Sequence, residues 1–132
     1  MTTDWNREAK SEMTRSHDAL DAAELLFKAH MLESAVARAY YAVFHAARAA
    51  LATRKQAAKT HSGILRAFGK ELVKTGCIEA EYARIFSAEQ EDREFCDYDA
   101  SFKIPRDTAE LRIQEAHEFV SRIQRYLEDT KK

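Results

Sequence analysis

One stretch decides the fold: Ser34-Ala35-Val36-Ala37-Arg38-Ala39-Tyr40-Tyr41-Ala42-Val43-Phe44-His45-Ala46-Ala47-Arg48. Its large apolar side chains and its many alanines cover most faces of a helix. A helix that is apolar most of the way round is usually surrounded by other helices or by a partner subunit. We therefore predict a central helix from about Glu33 to Thr53.

The period of the apolar residues places four more helices around it. They are predicted from about Asp4 to Ala29, from Thr60 to Gly76, from Ile78 to Asp97, and after Pro105. Thr60 is expected to cap the third helix, which Gly76 should end in a left-handed conformation. The spacing Asp107-Thr108-Ala109-Glu110 predicts a capping box for the fifth helix, with Asp in place of Ser or Thr.

Composition points to the same architecture. The chain has 132 residues, of which 45% are hydrophobic and 33% charged, and only three are glycine and one is proline. That balance suits one globular domain over residues 1–132 and leaves little turn chemistry for a sheet. We expect an all-α fold, an antiparallel bundle of four to five helices. No segment resembles a signal peptide or a membrane span, so we expect a cytoplasmic protein.

Metal and cofactor sites have no support in the sequence. The two cysteines, Cys77 and Cys96, do not form a C-x-x-C motif, and the histidines His17, His30 and His117 have no ligand-like spacing. We therefore expect no metal, no cofactor and no disulfide framework.

A line of polar residues crosses the central helix. Its members follow one another at steps of three, four and three, so they share one face: Arg38, Tyr41, His45 and Arg48. One interpretation is a boundary stripe whose long side chains reach water over the edge of the core. The other is a row of donors for an anionic group, since arginine fits phosphate and histidine titrates near neutrality.

Charge is divided between two blocks, although the net charge is only −1. Residues 36–75 carry eight Lys or Arg and one acid, whereas residues 76–99 carry eight acids and two Arg. Neighbouring helices could neutralise one another. Alternatively, the basic block could bind RNA or nucleotide phosphate, and the acidic block a basic partner.

The end of the fourth helix breaks its own apolar stripe. Continuing the stripe of Ile78, Tyr82 and Ile85 leads to Glu89 and Arg93, which should face the core. These two residues are four apart and could form an internal ion pair. In the functional interpretation, Arg93 is instead an anion ligand at a subunit interface.

Three motifs together resemble prokaryotic HEPN domains (higher-eukaryote and prokaryote nucleotide-binding). The first is Ser34 to Arg48, the second is Lys59-Thr60-His61-Ser62-Gly63-Ile64, and the third is Arg93 followed by Asp97-Tyr98-Asp99. They match in order and spacing over roughly residues 20 to 125. The resemblance implies a helical bundle that forms a homodimer with its functional groups near the dimer interface.

The resemblance also implies a function. Many such domains are metal-independent ribonuclease toxins that are paired with a minimal nucleotidyltransferase antitoxin, and their signature is an Arg followed after four to six residues by a His. Arg93 matches the Arg, but Tyr98, Asp99 and Ala100 occupy the His window. Tyrosine, with a pKa of about 10, is a poor acid or base at neutral pH. In some relatives a Tyr beyond the His is modified by the partner, which makes Tyr98 a candidate acceptor.

Three functions follow from this reading. The first is a dimeric module that binds RNA or a nucleotide, or a nucleotidyltransferase partner. The second is an endoribonuclease toxin in which Arg93 stabilises the phosphate and His45 or Tyr98 transfers protons. The third is a structural partner whose acidic fourth helix docks a basic protein.

The candidate nucleotide- or RNA-binding residues are Arg38, Tyr41, His45, Arg48, His61, Arg93, Asp97 and Tyr98, and the candidate catalytic residues are Arg93 and His45. His61 could instead serve only to hydrogen-bond a neighbouring group.

Overall fold

The structure is a computed structural model, and it describes residues 4–55 and 60–131. Lys59, the first residue of the second motif, lies outside the described residues. The helices are α1 (Asp4–Lys28), α2 (Leu32–Ala52), α3 (His61–Phe68), α4 (Ala80–Tyr98) and α5 (Arg106–Thr130). The described ranges contain no strand, which confirms the prediction of an all-α fold.

The helix α2 is the centre of the molecule, as its apolar surface predicts. Thirteen of its 21 residues are buried, and it packs against α1, α4 and α5. Its alanines allow the neighbouring helices to approach closely, while Tyr40, Phe44 and Leu51 fill the larger spaces. Over the described part of the chain, none of the helices combines the length and the apolar character that a membrane crossing needs.

Side-chain contacts show the direction of the long helices. Ser16 Oγ of α1 donates to the Ala42 carbonyl of α2 at 2.7 Å, and Glu12 of α1 bonds His45 of α2 at 2.7 Å. The later residue of α1 contacts the earlier residue of α2, so the two helices are antiparallel. The polar Ser16, which interrupts the apolar stripe of α1, is thus fully buried but hydrogen-bonded.

The helices α4 and α5 form a second antiparallel pair. Arg122 Nε donates to Glu79 at 2.7 Å near the start of α4, and Arg112 Nε donates to Asp92 at 2.6 Å near its end. These two pairs, together with the main apolar core around α2 and a smaller apolar cluster at its N-terminal end, hold the four long helices as an antiparallel bundle.

The region after α2 follows the predicted helix signals in part. The Thr60 side chain accepts a hydrogen bond from the Gly63 amide at 2.9 Å, so the predicted cap is confirmed. The helix does not run unbroken to Gly76, because a π-helical turn, Gly69–Val73, replaces its second half. Gly76 has a φ of +82°, as a left-handed terminating glycine requires.

The predicted capping box of the fifth helix is wrong. The helix α5 begins at Arg106, and Pro105 is its N-cap residue, with no side-chain cap hydrogen bond. The Ala109 amide already donates to the Pro105 carbonyl at 3.0 Å, so Asp107 lies inside the first turn rather than before it. Asp107 is nevertheless an acid in the first turn, where it interacts favourably with the helix dipole.

Of the two interpretations of Glu89 and Arg93, the internal ion pair does not form. Both residues are buried, as the stripe predicts, but Arg93 Nη1 donates to Asp97 Oδ2 at 3.0 Å. Neither carboxyl oxygen of Glu89 has a hydrogen-bond partner in the described structure. Burial raises the pKa of Glu89 well above its usual value, so the side chain is accommodated as a neutral acid.

Candidate functional site

Tyr40, His61, Arg93 and Asp97 meet on one side of α2, and we name this group the Arg93 cluster. The Tyr40 hydroxyl and His61 Nδ1 are 2.5 Å apart. The Arg93 guanidinium lies over the Tyr40 ring, 4.8 Å from its centroid, and bonds Asp97 at 3.0 Å. The cluster therefore joins α2, the first residue of α3 and the end of α4.

Local structure explains how His61 reaches this position. Thr60 caps α3, so His61 is the first residue of that helix. Its ring stacks on Phe44 with centroids 4.6 Å apart, and Tyr41 meets it edge-on at 6.2 Å. Tyr40 and Phe44 are one turn apart on α2, so a single face of that helix both stacks on the imidazole and hydrogen-bonds it.

The titration state of the cluster follows from its burial and its charges. Burial raises the pKa of Tyr40 to about 12, although the hydrogen bond and charge of Arg93 oppose part of this rise. The phenol therefore keeps its proton at neutral pH. Burial and the charges of Arg93 and Arg48 lower the pKa of His61, with Glu94 opposing them, so the imidazole is neutral at pH 7.

These states assign the hydrogen bonds. Between a protonated phenol and a neutral imidazole, the phenol O–H is the stronger donor and the ring nitrogen is the stronger acceptor, so the Tyr40 hydroxyl donates to His61 Nδ1. A neutral imidazole that accepts at Nδ1 carries its proton on Nε2. His61 is therefore a neutral donor beside a cationic guanidinium, not an imidazolium acid.

Arg93 retains unused donor capacity. Only 8% of its surface is exposed, and its Nε has no acceptor among the residues that the structure describes. Its charge is balanced by Asp97, which lies at the surface. Because Nε is itself buried, an anion would meet Arg93 only at the small exposed part of its side chain, beside the His61 donor.

A second feature is the α1–α2 cleft, an open depression of about 400 Å³. Its polar lining comes from Arg15 and Asp18 of α1 and from Arg38, Tyr41 and His45 of α2. The Arg38 guanidinium lies over the Tyr41 ring, 5.2 Å from its centroid. The cleft adjoins the Arg93 cluster, because Tyr41 also contacts His61.

Glu12 orients two of the α2 side chains from across the helix pair. It binds His45 Nδ1 through Oε1 at 2.7 Å and Arg48 Nε through Oε2 at 3.0 Å. Although burial pushes the pKa of Glu12 upward, the hydrogen bond from His45 and the charge of Arg48 hold it below its ordinary value. A carboxylate only accepts, so His45 Nδ1 is the donor and Nε2 is directed away from this bond.

The structure thus divides the predicted site residues into groups. His61, Arg93 and Asp97 come together, and Arg38, Tyr41 and His45 share the cleft. Arg48 lies between the two groups, bound to Glu12 and placed over the Phe44 ring, 5.7 Å from its centroid. The remaining residue, Tyr98, is 79% exposed in a separate groove of α4.

Sequence reasoning missed Tyr40, Glu12 and Arg15. Tyr40 lies on the apolar part of the first motif, where its hydroxyl, next to that of Tyr41 in the sequence, was the only signal of a polar role. Glu12 is 33 residues from His45 and Arg15 is 23 from Arg38. No local spacing predicts that those helix faces meet, so these two residues had no sequence signal.

Comparisons with known proteins agree with the fold. The HEPN domain family matches residues 9–127. A Methanocaldococcus jannaschii protein named "Putative toxin MJ0605" is 36% identical over 129 residues, covering 98% of this chain and 96% of the relative. A second protein of that organism, "Putative toxin MJ0142", is 31% identical over 93% of this chain and 84% of the relative.

A Thermotoga maritima protein named a UPF0332 protein is 35% identical over 118 residues, covering 89% of each chain. The family match begins within α1, ends within α5 and includes the residues of the Arg93 cluster and of the α1–α2 cleft. This chain belongs to the HEPN domain family.

Proposed function

We propose that this protein is a toxin-type HEPN protein that binds RNA through a backbone phosphate at the Arg93 cluster. The observation that carries the proposal is the hydrogen bond from Tyr40 to His61. With the phenol as the donor, this bond leaves Nε2 of the neutral His61 as a donor beside the guanidinium of Arg93, which supports the proposal. Two donors, one of them cationic, match two oxygens of a phosphate diester.

The local field supports an anionic ligand. Burial is the largest cause of the lowered pKa of His61, and the charges of Arg93 and Arg48 add to it more than Glu94 opposes it, so two cationic side chains act on the imidazole. A positive site on an almost neutral chain attracts phosphate locally rather than through a whole-molecule field. The names of the two Methanocaldococcus relatives favour a toxin role, in which RNA would be the target.

RNA cleavage is the second candidate function, and the contact between Glu12 and His45 favours it. A carboxylate that accepts from Nδ1 holds the imidazole so that Nε2 can act as a base when the ring is neutral. Such a base could take the proton of a ribose 2′-hydroxyl without a metal. This function would need His45 to act on RNA that is held at Arg93.

One experiment separates binding from cleavage. Purified protein is incubated with total RNA and with tRNA in excess chelator, and binding to a fluorescein-labelled RNA hexanucleotide is measured by anisotropy. His61→Ala removes the donor, whereas His61→Gln places an amide donor near the same position. We expect about tenfold weaker binding for His61→Ala, about wild-type binding for His61→Gln, and intact RNA throughout.

The controls cover folding and charge. Circular dichroism checks each variant, Arg93→Lys keeps the charge if Arg93→Ala does not fold, and the exposed Arg125→Ala removes an arginine from another surface. Chelator-resistant cleavage that is lost in His45→Gln would establish the ribonuclease instead. An RNA affinity that is unchanged in both His61→Ala and Arg93→Ala would refute the proposed site.

A protein partner and a homodimer belong to the same proposal. The groove of α4, of about 590 Å³, combines Glu91, Glu94 and Asp99 with the exposed rings of Phe95 and Tyr98. Its acidic lining suits a basic partner of the nucleotidyltransferase type. Co-purification of this partner with the protein from the native host should be lost in Phe95→Ser.

The homodimer has a separate test. Light scattering should give about twice the 15.1 kDa chain mass, and a monomer mass would refute the homodimer.

A further inference from the structure

We propose that the α1–α2 cleft is a base pocket for single-stranded RNA and that Asp18 selects a base with an exocyclic amino group. The inference rests on the proposed function, because it places the base next to a phosphate held by the Arg93 cluster. It adds a ligand class, a pocket and a residue that reads the base.

The Arg93 cluster and the α1–α2 cleft are continuous with each other. Tyr41 contacts His61 edge-on at 6.2 Å and also carries the Arg38 guanidinium at 5.2 Å. One side chain therefore belongs both to the edge of the Arg93 cluster and to the wall of the cleft. A strand whose phosphate lies at His61 would have a neighbouring base at Tyr41.

The second step is the shape of the cleft. Ala19 and Ala22 line it where longer side chains would close it. The guanidinium of Arg38, which lies over the Tyr41 ring, is planar and can stack on an aromatic ring. Bases that are unstacked and splayed out stack on tyrosine and arginine planes in this way, which a paired duplex cannot do. The cleft therefore fits one flipped-out base of a single strand.

The third step is the polarity of the lining. Arg15 and Asp18 are exposed on the same face of α1, three residues apart, and both line the cleft. Their chemistry is opposite, one a cationic donor and the other an anionic acceptor. A site for phosphate alone would gain nothing from Asp18, whose charge repels it. A carboxylate is instead suited to accept from the exocyclic amino group that cytosine, adenine and guanine carry and uracil lacks.

The test is an anisotropy titration with labelled hexanucleotides of cytidine, adenosine and uridine in chelator. We expect the cytidine and adenosine strands to bind about tenfold more tightly than the uridine strand. In Asp18→Ala this ratio should fall to about one, while uridine binding becomes slightly tighter because a repulsive charge is lost. Asp129→Asn, at the exposed end of α5, is the control and should keep the wild-type ratio.

Arg93→Ala distinguishes the two proposals. If that variant weakens all three strands by a similar factor and preserves their ratio, both proposals stand. Equal binding of the three strands to wild type, or an unchanged ratio in Asp18→Ala, overturns the base pocket while leaving the phosphate site intact. Failure of every strand to bind overturns both.

Discussion

The hydroxyl of Tyr40 and Nδ1 of His61 lie 2.5 Å apart, although 21 residues separate them in the chain. The bond links the buried centre of α2 to the first residue of α3. Because the phenol keeps its proton and donates it to Nδ1, the proton of the neutral imidazole is placed on Nε2. The chemistry of the site depends on this assignment, since a donor at Nε2 binds phosphate but cannot act as a base.

The histidine tautomers provide the first prediction. Long-range proton–nitrogen correlation spectra at pH 7.5 should show His61 protonated at Nε2 and unprotonated at Nδ1. His45 is an internal comparison, because its bond to the Glu12 carboxylate requires a proton on Nδ1. Tyr40→Phe should allow His61 to populate both tautomers and should cost about 1 kcal/mol of stability. A proton on Nδ1 of wild-type His61 would contradict the donor assignment.

Glu12 should stabilise the fold in a pH-dependent way. Its pKa is lower in the folded protein than in the unfolded chain, so its contribution is present above the ordinary value of 4.5 and is lost as the pH falls through the folded pKa. Urea unfolding at pH 7 should show Glu12→Gln less stable by about 1–2 kcal/mol. Below about pH 4 the difference should shrink toward zero. A difference that grows on acidification would be the opposite of this prediction.

The contribution of Glu89 to stability should have the opposite pH dependence from that of Glu12. Its folded pKa is raised, so its penalty is absent below 4.5 and increases as the pH rises toward the folded pKa. Glu89→Met fills the same space without a buried acid, and we expect it to be more stable than wild type by about 1–3 kcal/mol at pH 8. The gain should be much smaller at pH 4.

The control for that experiment is the neighbouring exposed carboxylate. Glu91→Met should change stability by no more than about 0.5 kcal/mol at either pH. Loss of stability in Glu89→Met at pH 8 would contradict the prediction and would mean that the buried carboxyl makes a stabilising interaction.

Two glycines provide a matched pair of substitutions. Gly76 has a φ of +82°, whereas Gly69 has a helical φ of −61°, and an added Cβ would meet nothing within 4 Å at either position. Gly76→Ala should therefore lose about 1–2 kcal/mol through backbone strain alone. Gly69→Ala should gain about 0.4–1 kcal/mol by restricting the unfolded chain. Thermal unfolding followed by circular dichroism would measure both, and equal effects would contradict this backbone argument.

The fold was predictable from the sequence because its signals are local. The apolar surface of α2, the Thr60 cap and the left-handed Gly76 are each set by a few neighbouring residues. The start of α5 after Pro105 was predicted correctly, but its cap was not, because Asp107 and Glu110 have capping-box spacing whereas Pro105 provides the first helical carbonyl. Sequence rules for helix caps do not distinguish well between two candidate N-cap residues that lie within one turn of each other.

The candidate site was predictable only in part because it is assembled across helices. The polar line on α2 was visible from its spacing, but the bond from Tyr40 to His61 and the one from Glu12 to His45 join distant segments. The pairing of Glu89 with Arg93 failed for a related reason. Arg93 turns toward Tyr40 and the exposed Asp97, which leaves Glu89 facing the interior between α4 and α5.

The salt dependence of RNA binding is the most direct test of the phosphate site. The logarithm of the binding constant for a labelled cytidine hexanucleotide is measured against the logarithm of the KCl concentration, in chelator, for wild type, Arg93→Ala and Arg125→Ala. If Arg93 holds a backbone phosphate, its loss should lower affinity and reduce the steepness of the slope by about 0.7, the value for one single-strand phosphate contact. Arg125→Ala should match wild type. An Arg93→Ala protein that folds and keeps both the wild-type affinity and the wild-type slope would contradict the account.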